Sequence, residues 1–138
     1  MTAALLEPVT DIDASALVFE AGLPGFPEAH HFELQRWGSD DSPFSILRSL
    51  DVDGLEFVVV PPGVFFPDYE PEIDDATVVR LGISSPSDVI LLVMLTLGDR
   101  PADATANLLG PIVVNRNTHR AAQAVLASSG YELRTPLI

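Results

Sequence analysis

The sequence predicts a mostly β, single-domain protein: a small antiparallel, β-barrel-like fold with one or two short helical turns. Three observations carry that expectation. Twelve prolines and nine glycines cut the 138 residues into short runs, a spacing that suits barrels and sandwiches. The apolar fraction is 47%, enough for a real core. The most apolar runs, residues 55–60, 89–97 and 108–114, have strand length, and burying them together removes the most apolar area from water. The whole chain, 1–138, reads as one domain, with about residues 1–14 as an unpatterned lead-in.

The elements follow in order. Residues 17–20 form a short first strand. In "GLPGF" (22–26), proline presets its own φ and Gly25 accepts a positive one, so Leu23-Pro24-Gly25-Phe26 fits a type II turn. Residues 31–37 alternate as a strand, with Phe32 and Leu34 on one face and His31, Glu33 and Gln35 on the other. A polar loop, 38–43, leads into a hairpin of 44–50 with 55–60. Asp53-Gly54 is a common tight-turn pair, in a loop that extends back to Asp51 and Val52 if the turn is wider. The arm 55–60 is almost continuously apolar, which predicts a central strand covered on both faces. Pro61–Gly63 ends it, and 64–69 is expected to run on extended, held at an edge by Pro67 and Pro71.

"IDDATVVRLG" (73–82) changes character. Asp74 or Asp75 caps a short helix and Gly82 ends it. Residues 84–88 offer a second single turn. The longest apolar strand, 89–97, is followed by a loop, 98–103, and 105–115 returns antiparallel. The C-terminus has two readings. Propensity gives a helix at 118–127. Alternation gives a hairpin of 122–127 with 131–137 across Ser128-Ser129-Gly130, after one helical turn at 118–120, and this second reading is preferred.

Charge narrows the function classes. The net charge is −13 and every base is an arginine. Residues 1–75 hold sixteen acids and two arginines, a balance of −14; residues 76–138 balance at +1. Such asymmetry serves solubility or steers a basic partner. Direct nucleic-acid binding is disfavoured, because phosphate contacts need clustered bases. There is no cysteine, hence no disulfide frame and no thiolate chemistry. The longest apolar run falls far short of the roughly 18 residues that span a bilayer. The N-terminus has no basic region ahead of an apolar stretch, so an intracellular protein with no membrane role is expected.

The search for a catalytic site is nearly empty. There is no glycine-rich phosphate loop and no serine elbow. His30 and His31 point to opposite strand faces, so a metal site with Glu28 lacks ligands. Asp40-Asp41 and Asp74-Asp75 are acid pairs that a carboxylate-based hydrolase would place across a cleft; loop solvation and helix capping explain them more simply. "DVDGLE" (51–56) lacks the acid spacing of a calcium loop. No cofactor is called for.

"VFFPDYEPEIDD" (64–75) is the candidate site. Phe66 and Tyr69 stand beside Asp68, Glu70, Glu72, Asp74 and Asp75 on a proline-stiffened edge, a composition that suits protein binding. The competing reading makes one of Phe65 and Phe66 core and the acids mere solvation. "TANLLGPIVVN" (105–115) adds a further question. Thr105 and Asn107 share one strand face, and Pro111 removes a backbone N–H. If that face is solvated, Asn107 joins the binding surface; if it is inside, the side chain ties down orphaned backbone. The missing N–H favours the structural role.

"TANLLGPIVVN", with "GLPGF", "PF" at Pro43-Phe44, "PDY" at 67–69, "LGI" at 81–83 and the trailing "AAQAVL…Y…R.PL", resembles the flagellar assembly factor FliW family over nearly the whole chain. "HRAAQ" (119–123) departs from it, where the family often carries lysines and a glycine. The resemblance implies a small β-barrel-like partner switch rather than an enzyme. It further implies a cytoplasmic monomer that binds flagellin and also CsrA, the RNA-binding repressor of flagellin translation, so that free protein relieves repression.

Overall fold

In the computed structural model, which describes residues 16–127 and 129–137, nine short strands and one helix build a largely antiparallel sheet. The strands are β1 (Ala16–Val18), β2 (His31–Arg36), β3 (Ser45–Ser49), β4 (Glu56–Val60), β5 (Val89–Thr96), β6 (Thr105–Ala106), β7 (Ile112–Asn115), β8 (Ala121–Gln123) and β9 (Thr135–Pro136). The helix α1 spans Asp75–Leu81, and single 3-10 turns occupy Pro62–Val64, Pro86–Asp88 and Pro101–Asp103. The proposed lead-in, residues 1–14, lies outside the described residues.

Strands β1 to β5 pair in sequence order. At β5 the sheet forks: its first half pairs with β7, which pairs with β8, and its last two residues pair with β6, which pairs with β9. A parallel bridge joins Val18 to Arg120, with the Val18 N–H donating to the His119 carbonyl at 3.0 Å. The sheet therefore curls until β1 meets the start of β8, but no ladder closes it, and "barrel-like" holds in that loose sense.

Continuous apolar runs separate two layers of core. Ile90 and Leu92 of β5 join the central cluster with Phe19, Phe32, Leu47, Val59, Ile112 and Val114. Their neighbours Val89 and Leu91 point the other way, to a cluster that α1 covers with Leu81 and Val78. Val93 and Val60 enter a third cluster with Tyr69, Leu108 and Leu126. Because successive side chains alternate across a strand, a strand covered on both faces must be apolar throughout. For β4 the expectation holds at its end only: Val59 and Val60 are buried in different clusters, while Glu56 is exposed and Phe57 and Val58 are half-buried.

Local signals act as read. Leu23 and Phe26 exchange backbone bonds of 3.2 and 2.8 Å around Pro24-Gly25, with Gly25 at φ 86°. Gly22 is required for space, since a Cβ there would stand 2.6 Å from the Pro27 carbonyl oxygen. Asp74 caps α1 and Gly82 ends it in the left-handed conformation, φ 67°.

Three expectations are corrected. Residues 64–69 are not extended. The Phe66 N–H donates to the Pro62 carbonyl at 2.8 Å and the Tyr69 N–H to the Phe66 carbonyl at 3.0 Å, so the segment folds in successive turns. The return strand 105–115 is two strands. Between the Leu95–Ala106 and Leu92–Ile112 pairs β5 advances three positions and the returning chain six, so residues around Gly110-Pro111 bulge out. At the C-terminus neither the helix nor the self-paired hairpin forms. Strand β8 turns back onto β7 through 116–120, and β9 pairs with β6. Ala121, Ala122 and Ala124 are buried in the sheet, and that burial overrides alanine's helix propensity.

Candidate protein-interaction surface

The turns after β4 set the geometry. Pro61 and Pro62 stop the ladder, and the chain folds over the outer end of β4 and β5, carrying Phe65 to Tyr69 onto the third core cluster. Tyr69 is buried at 3% exposure. Its hydroxyl donates to the Leu108 carbonyl at 2.7 Å, and its ring meets Tyr131 edge-on with centroids 4.7 Å apart. Burial, then the neighbouring Tyr131, pushes its pKa well above the ordinary tyrosine value, so it stays a neutral donor. The Tyr131 hydroxyl in turn accepts the Glu70 backbone N–H at 3.4 Å. Around this pair lies a groove of about 350 Å³ lined by Phe65, Phe66, Pro67, Asp68, Tyr69, Leu108 and Tyr131.

The structure sorts the sequence-derived candidates into three kinds. Phe66, Asp68 and Tyr69 share the groove. Phe66 is half-buried, Asp68 is exposed, and Tyr69 is a strut beneath the surface rather than a projecting anchor. Glu70 and Glu72 are exposed beyond the groove's lining, on either side of the buried Pro71. Asp74 and Asp75 leave with the helix. The Asp74 carboxylate accepts from the Thr77 hydroxyl at 2.6 Å and the Thr77 N–H at 3.2 Å, and the hydroxyl bond, opposed by some desolvation, holds its pKa below the usual carboxylate range.

Asn107 has the structural environment. Its Oδ1 accepts the Gly110 N–H at 2.9 Å, while the Gln123 amide donates to the Gly110 carbonyl at 2.9 Å. Both polar groups of Gly110 are thus satisfied by side chains inside the bulge where no ladder is available. A Cβ on Gly110 would stand 2.8 Å from the Gln123 amide nitrogen, so a larger residue there would push that amide off its bond to the Gly110 carbonyl. Asn115, the last residue of the same motif, works similarly: buried at 2%, it donates to the Leu81 carbonyl at 2.8 Å and accepts the Asn117 N–H at 2.9 Å. It pins the end of α1 to the β7–β8 turn.

Sequence reasoning missed Leu108, Tyr131, Phe44 and Trp37 as neighbours of this surface. Trp37 meets Phe44 edge-on at 6.3 Å, and Phe44 lies 6.0 Å from Phe65. Trp37 and Phe44 flank the β2–β3 loop, far along the chain from Leu108 and Tyr131; "PF", "TANLLGPIVVN" and the trailing "Y" contain three of the four, but nothing local shows that they meet.

Asp51 has a backbone task. Asp51 accepts the His31 N–H at 2.7 Å and the His30 N–H at 2.8 Å. These bonds, chiefly that from His31, lower its pKa. The two histidine rings part company: His30 Nδ1 lies 3.0 Å from the Phe19 carbonyl and His31 Nδ1 3.2 Å from Asp51. Among the described residues no three potential metal ligands cluster, and no helix is long and apolar enough to cross a membrane.

The FliW protein family model matches residues 3–137. The chain belongs to the FliW family. It is 40% identical over 121 residues to the flagellar assembly factor FliW of Bacillus subtilis (strain 168), covering 88% of this chain and 84% of that one. It is 42% identical over 125 residues to the FliW of Geobacillus sp. (strain WCH70), covering 90% and 85%. The fold superposes on a crystal structure of the flagellar assembly factor FliW with a TM-score of 0.84 at 38% identity, covering 90% of this chain and 86% of the other. The segment "TANLLGPIVVN" forms the forked return strand, with Asn107 and Asn115 as its internal ties.

Proposed function

We propose that this FliW-family chain is a non-enzymatic, cytoplasmic binding protein. It binds flagellin, and it binds the translational regulator CsrA. Capture of CsrA relieves repression of flagellin translation once flagellin has been exported. The observation that carries this reading is the apolar groove beside Asp68, on a chain whose first 75 residues balance at −14. An apolar centre with a charged rim is the anatomy of a protein interface, and negative charge suits an antagonist of a basic RNA-binding protein. Antagonism need not occur at the RNA site; capture elsewhere on CsrA acts through coupling.

A carboxylate-based hydrolase is the weaker reading. Its general acid needs a raised pKa, whereas Asp51 is shifted down by the backbone N–H groups of His31 and His30, and Asp74 by its bonds from Thr77. The deciding experiment titrates purified flagellin and purified CsrA separately into this protein, then adds the protein to CsrA bound to a labelled flagellin leader RNA. Binding of both proteins and release of the RNA is expected. Failure to bind either, or tight CsrA binding with the RNA retained, would overturn the assignment.

A further inference from the structure

The chain has ten aromatic residues, and they divide unevenly. Phe19, Phe26, Phe32 and Phe57 belong to the central core. The other six gather on one face. Tyr69 is buried in the third cluster, and Phe44, Phe65, Phe66 and Tyr131 lie half-buried over it. Trp37 stacks edge-on against Phe44 and remains 47% exposed. Phe65 links the Trp37–Phe44 pair to the groove through Phe66. Ring capping of a core accounts for the four half-buried side chains. It does not account for Trp37, whose ring contact is with Phe44 and which adds little to the core beneath. A large apolar ring held open to water at the end of a continuous aromatic strip marks a contact surface.

Exposed acids border the strip. Asp40 and Asp41 follow Trp37 in an exposed loop, and Asp68 and Glu70 border the groove. Arg36, the arginine nearest in sequence, is half-buried and turned inward to donate to the Ser42 carbonyl. That bond occupies the guanidinium within the loop, while Asp40 and Asp41 stay exposed. We infer that Trp37, Phe44, Phe65 and Phe66 form the docking face for a segment of a partner protein that presents apolar side chains flanked by lysine or arginine. The apolar side chains cover the rings; the bases meet Asp40, Asp41 and Asp68. This rests on the protein-binding reading and specifies where and by what chemistry the partner is held. It shifts the site from the acidic run 70–75 toward the β2–β3 loop.

Trp37 is the only tryptophan, so the face carries its own reporter. The probe is a short synthetic peptide of leucines flanked by lysines, compared with a peptide in which serine replaces every leucine. The leucine peptide should shift Trp37 emission to the blue and protect it from acrylamide, saturably. Asp41→Lys/Asp68→Lys, at exposed positions that leave the fold intact, should weaken that binding by about tenfold. An equal response to the serine peptide would reduce the effect to counterion attraction and overturn the assignment, as would an unmoved emission. Affinities of the same double variant for flagellin and CsrA separate the two levels. If the native protein binds them and the variant binds them equally well, this face is wrong and the proposed function stands. If the native protein binds neither while the leucine peptide still docks, the face stands and the named partners fall.

Discussion

Tyr69 shows how a residue chosen for its chemistry serves the fold. A tyrosine among acids reads as an interface anchor, but here the ring is interior and its hydroxyl satisfies the carbonyl of buried Leu108. Tyr69→Phe should therefore cost about 1–3 kcal/mol, the penalty of leaving a buried acceptor unpaired. Tyr69→Ala should cost about 3–5 kcal/mol through the added cavity. Urea denaturation measures both; losses under about 0.5 kcal/mol would show that Leu108 finds water instead. Asp51 supplies a pH prediction. A carboxyl held below its ordinary value adds stability above that value and loses it as pH falls through the lowered one. The stability gap between the native protein and Asp51→Asn should be full at neutral pH and close as pH drops below 3.8, the ordinary value. A gap that widens on acidification would contradict the bonding seen to His30 and His31.

At the scale of elements, α1 is seven residues long, too short to persist alone. It stands because Asp74 closes its N-terminus, Gly82 its C-terminus, and Leu81 and Val78 pack on the outer face of β5 and β7. Asp74→Ala should destabilise by about 0.5–2 kcal/mol, and Asp75→Ala, exposed in the first turn, by less than about 1 kcal/mol. Thermal unfolding of the two single variants distinguishes a cap from a general charge effect: equal losses would argue for the latter. The motif "TANLLGPIVVN" was legible as important but not as forked. Its Gly110-Pro111 break is local, and the consequence follows from position. Because the break falls opposite the middle of β5, the returning chain serves two ladders, and Asn107 and Gln123 occupy the gap between them.

For the whole molecule, the uneven charge predicts kinetics. With −14 in the first 75 residues, association with a basic partner should slow as salt rises from about 50 to 500 mM, while dissociation changes little. Stopped-flow mixing with CsrA measures both rates, and an association rate flat across that range would leave the acidity as a solubility feature. Neutralising exposed Glu70 by alanine should leave stability within about 0.5 kcal/mol of native and lower the association rate. Asp74 is no such position, since its carboxylate holds the helix.

The sequence by itself determined the local vocabulary: roughly where the first five strands lie, the Pro24-Gly25 turn, the Asp74 cap, the Gly82 stop, and a signature specific enough to place the family. These signals are legible because each is decided within a few residues, by the φ a residue permits, the donor it lacks or the face it alternates onto. Only the tertiary structure decided which strands pair after Asn115, whether residues 64–69 run straight, and which aromatics meet. Strand β9 joins β6 across nearly thirty residues, and the aromatics Trp37 and Phe44, Phe65, and Tyr131 gather from three separate segments. Such pairings depend on which surfaces can be buried together once the sheet has curled, a choice made by long-range packing. The same packing turned Tyr69 inward and left Trp37 on the outside.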